Sequence, residues 1–563
     1  MKHLSKLLFS ATIVITASIT IILFSYFDDT KNFKTAKSLD IFYSLFTELN
    51  QSYVEETDPE DLITIAIDSM LTTLDPYTQY IPQAQIEQYR IKTHGEYGGV
   101  GAVMTSHNKK MIITEVYKNS PAHNADLRPG DIIAQINNHP IINKTQEEVE
   151  EMLQGEPGTI MNIDIQRQHT DGLLPISITR EKIHINSIPF HGLISPSTGY
   201  IKLKSFTKNS SQDVEKAYKE LKDKGAQNFV LDLRDNPGGL LFEAIQVVNL
   251  FIPKNKKVVY TRGKNSFASH DYYTQKTPID TTSKLIVLIN DKSASASEIV
   301  SGSIQDFDRG IVIGEQSYGK GLVQAQRKIA HNSILKVTVS KYYIPSGRCI
   351  QKIDYSDKNK QENPTSSSDS KLSTFYTQNG RPVKDGGGII PDIKIPDTHY
   401  ESDFQKNLLE NFVFLNFTAA TFTTADTIKY KPKSFTISED IYSSFVHYVD
   451  STKVLEHSKK MQLLTELQTQ TQKKSIKTDT TKIDSTIIEL RKRISQEEHK
   501  LLQKEQKGIS QLLGKEIMQY LYFAEGAMQY YFPHDPYIQI AKKYFAHQKY
   551  NDILSGKKGT HKK

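Results

Sequence analysis

Lys284–Gln324 reads KLIVLINDKSASASEIVSGSIQDFDRGIVIGEQSYGKGLVQ, and the fold turns on this stretch. The apolar run Leu285 to Ile289 predicts a buried strand, followed by a sharp polar turn and a helix from about Ser295. Gly310 to Gly314 predicts a second strand, and a loop bracketed by Gly319 and Gly321 presents Lys320. Ser295 stands where strand gives way to helix, so the first helical N–H groups, that of Ala296 included, can face a negative charge developing beside its hydroxyl. A serine hydroxyl is a poor nucleophile until a base takes its proton, and an ammonium has no lone pair to do so. Burial would favour the neutral amine of Lys320, the form able to serve as that base. The same residues have a structural reading: Ser295-Ala296-Ser297-Glu298 matches the capping box S-x-x-E. The two roles are compatible.

The runs SASASEIVSGSIQD and GEQSYGKGLVQ closely resemble the active-site block of the carboxyl-terminal processing peptidases, also called tail-specific proteases. The resemblance implies a serine endopeptidase in which Ser295 is the nucleophile, Lys320 the general base and Gln324 the residue that orients the lysine. Some members are described with the aspartate of the Q-D pair, which is Asp306 here and could equally be a solvated acid near the helix end. Upstream, NFVLDLRDNPGGL reads as a buried strand ending in a tight turn, Asn236 to Gly239. By resemblance Gly239 supplies an oxyanion-hole N–H beside that of Ala296 at the helix start, although such a turn is often only structural. Strands near Val258, Leu285, Ile311 and Leu335 are expected to continue one sheet covered by helices, among them Ser211 to Lys224. Cys349, in KYYIPSGRCIQ, reads as a core thiol.

From about Tyr97 to Ile185 short strands alternate with two helices, the second near Gln146 to Leu153. The long run SPAHNADLRPGDII resembles a PDZ domain, which implies that Gly98, Gly99, Val100 and Gly101 form a loop offering N–H groups to a peptide carboxylate. Gly98 and Gly99 could otherwise simply shape a turn. Gln154 precedes Gly155 where many members carry the arginine that couples peptide binding to the active site.

At 563 residues the chain is long enough for several domains, and 37% hydrophobic residues provide material for real cores. A net charge of +6 gives no reason to invoke nucleic acid, and the basic end KKGTHKK reads as a solvated tail. One cysteine excludes an internal disulfide and a thiolate zinc cluster, and no H-E-x-x-H occurs, so the expected chemistry uses no metal or other cofactor. Lys2, His3 and Lys6 precede an apolar run from Leu7 to Phe27, with Asp28 and Asp29 after it. That run is close to the roughly 20 residues needed to span a bilayer, and its charge asymmetry puts everything after Asp28 outside the cytoplasm. A retained inner-membrane anchor is favoured over a cleaved signal peptide because no A-x-A site follows.

The fold class expected is α+β and multidomain: a signal segment over 1–28, a helical N-terminal domain over 36–95, and an inserted PDZ domain over 96–186. A crotonase/Clp-protease-like α/β core over 187–396 and a helical extension over 397–563 complete it. Ile41, Phe42, Leu45 and Leu49 give the N-terminal segment its helical period, which stops at Asp75-Pro76; Tyr355 to Ser373 reads as a surface linker. In the extension, Phe404, Leu408, Phe412 and Leu415, then Ile483, Ile487, Leu490, Ile494 and Leu501, recur at helical spacing and could face a second copy of the chain. Partners expected are peptides or proteins with free carboxyl termini, in a periplasm-like compartment. The rival readings are an inactive PDZ-bearing scaffold or chaperone, and a crotonase-type acyl-CoA enzyme, which leaves the export segment and the Ser/Lys pair unexplained.

Overall fold

The computed structural model describes residues 32–168, 170–355, 372–395, 402–473, 481–546 and 548–556. The apolar run 7–27, nearly all of the 355–373 linker and the basic tail therefore lie outside the described residues. Among those described, no helix is long and apolar enough to cross a membrane. The chain divides into two compact units, Met1–Tyr80 and Ile81–Lys563.

In the first unit a helix over 32–52 precedes the helix Pro59–Thr72. Asp58 caps the second by accepting from the N–H of Glu60 at 2.8 Å, satisfying a donor that the helix cannot. Asp75, just before Pro76, accepts from Tyr77 and Thr78 N–H at 2.8 and 2.9 Å, so the stop expected there is a closed turn. Ile41, Phe42 and Leu45 lie exposed on their helix. The division at Tyr80 leaves the helix Ile86–His94, expected with the N-terminal domain, in the second unit.

The second unit begins with the PDZ-like part. Five antiparallel strands run in the order Ala102–His107, Lys110–Val116, Ile132–Ile136, Ile160–Gln166 and Leu174–Thr179, so Ala102–His107 is an edge strand. The helix Gln146–Leu153 starts at a capping box, Thr145 with Glu148, and turns Val149 and Leu153 into a core of Met104, Ile113, Ile133 and Ile163. Glu96–Gly99 pairs separately with Glu181–His184.

A six-stranded sheet forms the centre of the rest, in the order Phe190–Ser195, Thr198–Lys202, Asn228–Asp232, Lys284–Ile289, Ile311–Gly314 and Ile393–Lys394. All neighbours but the first pair are parallel. Side chains that alternate between two covered faces explain why Leu285 to Ile289 are all apolar. Leu285, Val287 and Ile289 pack in one core with Val248 and Val300, from the helices Leu241–Phe251 and Ala296–Asp306. Ile286 and Leu288 face the opposite core, where Phe532, Tyr537, Ile538, Phe545 and Tyr550 from the far end of the chain cover the sheet. Tyr550 closes this contact with hydrogen bonds to the N–H and carbonyl of Leu285 at 2.9 and 3.0 Å.

The strands near Val258 and Leu335 do not continue this sheet, as the sequence led us to expect. Lys257–Gly263, Ile334–Tyr343 and Leu322–Lys328 belong to a second, antiparallel sheet. Hydrophobic pattern identifies a buried strand but not its partner, and the pairing here is set by the hairpin that follows the Lys320 loop. The remaining C-terminal helices, from Asp403–Glu410 to Gln506–Tyr531, gather around Phe404, Leu408, Phe414, Phe417, Phe445, Leu513 and Met518. In Thr481–Lys504, Ile487 is buried, whereas Ile488 and Leu490 are exposed.

Candidate active site

Ser295 ends the turn after Lys284–Ile289 and is the N-cap of the helix Ala296–Asp306, with φ 55° and ψ −110°. A positive φ on a residue with a Cβ is strained, and the strain persists because neighbours hold the turn from every side. Ala294 N–H donates to Asn236 O at 3.0 Å, and Tyr318 N–H to Ser293 O at 3.0 Å. The hydroxyls of Ser293 and Ser297 donate to Leu233 O and Asn236 O at 2.8 and 2.9 Å. The serine turn is thus bound both to the Asn236–Gly239 turn and to the loop that carries Lys320.

Glu298 is the hub of this arrangement, and it is fully buried. One carboxylate oxygen accepts from the N–H of Ser295 at 2.7 Å and of Lys320 at 2.9 Å; the other accepts from Ser317 Oγ at 2.6 Å and Gly319 N–H at 2.7 Å. Burial pushes this carboxyl up from its ordinary value, and the four donors pull it back. From the other side Tyr342, also buried, donates its hydroxyl to the carbonyls of Ser295 and Lys320 at 3.1 and 2.7 Å. The backbones of Ser295 and Lys320 therefore meet on one carboxylate oxygen and on one phenol. The sequence offered Glu298 only as a helix cap, and Tyr342 not at all. A capping box is legible from spacing, whereas the loop twenty residues downstream that shares the carboxylate is a tertiary neighbour.

Ser295 and Lys320 are both half-buried, at the border between core and solvent. Gln324 lies one strand step beyond the lysine loop, next to a register shift, and its amide donates to Thr338 Oγ1 at 3.3 Å. Gly238 faces the serine turn from beyond the neighbouring strand end, while Gly239 packs against Phe206. A Cβ on Gly238 would fall 2.9 Å from Ser295 Cβ and 3.1 Å from Ala296 N, and one on Gly239 would strike Phe206 O at 2.4 Å. Only residues without side chains let these two turns approach so closely. Among the described residues, neither the Gly239 nor the Ala296 N–H has a hydrogen-bond acceptor. Both N–H groups are thus left without an acceptor on the two turns that flank Ser295.

Asp306 is placed elsewhere. It sits at the opposite end of the helix that Ser295 caps, about 16 Å along the axis at about 1.5 Å per residue. It is also not solvated: its carboxylate is buried, accepts from Arg348 Nη2 at 2.8 Å and from Ser346 N–H at 3.0 Å. Asp306→Asn should destabilise the fold by about 3–5 kcal/mol, the usual cost of stranding one member of a buried pair, and leave the kcat of the folded protein unchanged. Urea unfolding beside single-substrate kinetics would check this; a large fall in kcat at unchanged stability would contradict it.

Cys349 is free and half-buried, and burial pushes its thiol up, away from the thiolate a nucleophile needs. In the PDZ-like part Gly98 and Gly99 are held in a strand pair, and Gly98 O accepts from Gly155 N–H at 3.1 Å. The carbonyls of Val100 and Gly101 accept from Ala122 and Tyr117 N–H at 2.8 and 2.9 Å, which sets the loop at the start of the edge strand. Gln154 accepts from Gln88 Nε2 at 3.1 Å. The arginine in this neighbourhood is Arg180, which donates to Leu153 O and Met152 O at 3.2 and 2.8 Å beneath the Gly155 turn.

Comparison with known proteins agrees with this geometry in three segments. Residues 197–357 match the model of peptidase family S41, 112–167 that of a PDZ domain, and 404–545 one described as "Probable PDZ-protease, C-terminal helical domain". The chain is 35% identical over 323 residues to the carboxy-terminal-processing protease of Bartonella bacilliformis, covering 57% of this chain and 74% of that one. It is 33% identical over 347 residues to a "Probable CtpA-like serine protease" of Staphylococcus aureus, covering 60% and 68%. A solved structure of a photosystem II D1 C-terminal processing protease aligns with TM-score 0.35 at 23% identity, over 67% of this chain and 91% of that one. With the serine turn and the lysine loop together on one matched segment and the PDZ fold on another, and with relatives 35% and 33% identical covered over 74% and 68% of their length, the chain belongs to peptidase family S41, among its PDZ-bearing carboxy-terminal-processing serine proteases.

Proposed function

We propose that this protein is an extracytoplasmic endopeptidase that selects proteins by their free carboxyl termini and cleaves them with Ser295 and Lys320. The observation that carries the reading is the shared anchorage of these two residues on Glu298 and Tyr342, which fixes both backbones. Lys320 Nζ takes the proton from Ser295 Oγ as the oxygen attacks the scissile carbonyl. The oxyanion is received by the N–H groups of Gly239 and Ala296, and the lysine returns the proton to the leaving amine. Water then attacks the acyl-enzyme with the same base, and Gln324 orients the lysine.

Substrate tails are taken by the PDZ domain. The edge strand Ala102–His107 leaves a row of backbone groups for a peptide to add to, and the Gly98–Gly101 segment before it, strand as far as Gly99 and loop at Val100 and Gly101, supplies N–H groups to the carboxylate. Residues 7–27 anchor the protein with its catalytic part outside the cytoplasm, a reading supported by the flanking charges. Self-association through Thr481–Lys504 is supported by the exposed Ile488 and Leu490.

The test compares a peptide substrate as free acid and as carboxyl amide, with parent protein and Ser295→Ala. The parent should cleave the free acid and bind the amide more weakly by about tenfold, since a charge-assisted contact is lost. Ser295→Ala should cleave neither. Equal handling of acid and amide would refute terminal recognition while leaving the active site standing.

A further inference from the structure

The oxyanion turn and the lysine loop are both gripped by one short segment of the C-terminal helical part, far outside the matched peptidase segment. Arg234, two residues before Asn236, lies between two carboxylates. Its Nη2 donates to Asp232 Oδ2 at 2.6 Å and to Asp535 Oδ2 at 2.8 Å, Nε to Asp232 Oδ1 at 3.0 Å, and Nη1 to Asp535 Oδ1 at 3.2 Å. The Tyr537 ring covers the guanidinium, with Cζ 4.4 Å from the ring centroid. Lys202 Nζ holds the carbonyl of Arg234 at 2.6 Å, and Tyr200 donates to Asp232 at 2.6 Å. Two cations thus balance two carboxylates where solvent scarcely reaches. Burial alone would push Asp232 up, but the neighbouring Arg234 and Lys202 charges and its donors hold it well below the usual carboxylate range.

The same segment reaches the lysine loop. The Tyr537 hydroxyl donates to Glu315 Oε1, and Glu315 opens the loop that ends in Lys320. A Cβ on Gly314, just before it, would lie 3.2 Å from the Tyr537 ring. We infer that Asp535 and Tyr537 are positioning residues for catalysis: they lock the Arg234–Gly239 turn and the Glu315–Lys320 loop in mutual register, so the C-terminal helical part completes the active site. This rests on the proposed roles of Ser295, Lys320 and Gly239. Asp535 also caps the helix Pro536–Ala546 through Tyr537 N–H at 2.9 Å, so lost stability alone would not separate positioning from capping.

The experiment uses full-length parent, Ser295→Ala, Asp535→Asn and Tyr537→Leu with a quenched-fluorescence peptide carrying a free apolar carboxyl terminus. Each is assayed well below its own unfolding midpoint, and PDZ binding is measured with a non-cleavable version of the peptide. Misplaced donors act on the transition state, so kcat should fall by about tenfold or more while KM and peptide affinity stay within about twofold. Tyr537→Leu keeps the Asp535 cap and decides the matter if Asp535→Asn fails to fold. A kcat within about twofold of the parent in a folded variant, or a loss confined to KM, would overturn the inference. Turnover that survives Ser295→Ala would instead overturn the active-site reading on which it stands.

Discussion

Lys320→Arg should fold normally and turn over substrate about 100- to 10,000-fold more slowly than the parent, the range expected when a general base is removed. The position of this residue is set by its backbone, through Glu298 on its N–H and Tyr342 on its carbonyl, and neither contact depends on the side chain. Arginine keeps the charge and the reach but stays protonated in proteins, so it cannot take the Ser295 proton. A lysine serving only as an ion-pair partner predicts the reverse order, with arginine the mildest replacement and alanine worse. Initial rates and thermal unfolding of Lys320→Arg, Lys320→Ala and parent distinguish the two. An arginine variant near parental turnover would remove Lys320 as the base.

Glu298→Ala is the second large effect, and it should appear first as lost stability. Truncation strands the N–H groups of Ser295, Gly319 and Lys320 and the Ser317 hydroxyl, each of which costs about 1–3 kcal/mol when buried and unpaired, so a loss of about 3–5 kcal/mol is expected after relaxation and water entry at the half-buried Ser295 and Lys320. Glu298→Gln has the same shape but turns an amide donor towards N–H groups that need an acceptor. It should therefore retain more of the stability and still lose about tenfold or more in kcat, because the serine turn and lysine loop no longer share an anchor. Urea unfolding and kcat measured on the same preparations check both statements. Parental values for the alanine variant would show that Tyr342 and the turn contacts suffice without Glu298.

What the sequence made legible was local. The helix expected near Gln146 to Leu153 lies there, and the structure shows that its cap, Thr145 with Glu148, and its apolar positions all fall within one short window. Leu285 to Ile289 read as a buried strand, and all five are buried. What covers its second face was not legible: Phe545 and Tyr550 are as apolar as any helix stripe, and nothing in their spacing names a strand more than 250 residues upstream. The candidate site divides in the same way. Ser295, Lys320, Gly239 and Ala296 stand in short motifs that could be read as a candidate site, whereas Asp306 entered through the Q-D pair of the family resemblance and is held by Arg348, its neighbour in space. The strands at Val258 and Leu335 were found as strands and joined to the wrong sheet, since alternation sets a face and not a partner.

The cover supplied by Phe532 to Tyr550 has a bearing on how the molecule comes into being. Ribosomes deliver the chain from its amino end, and Lys284 must wait 261 residues for the carbonyl of Phe545 that its amine will hold. Until then Ile286, Leu288, Ile311 and Ile313 form a bare apolar face, which is a hazard for aggregation and a contact of high order that slows closure. The strand that leads into the serine turn, Lys284–Ile289, therefore gains its second cover only once the last part of the chain is complete.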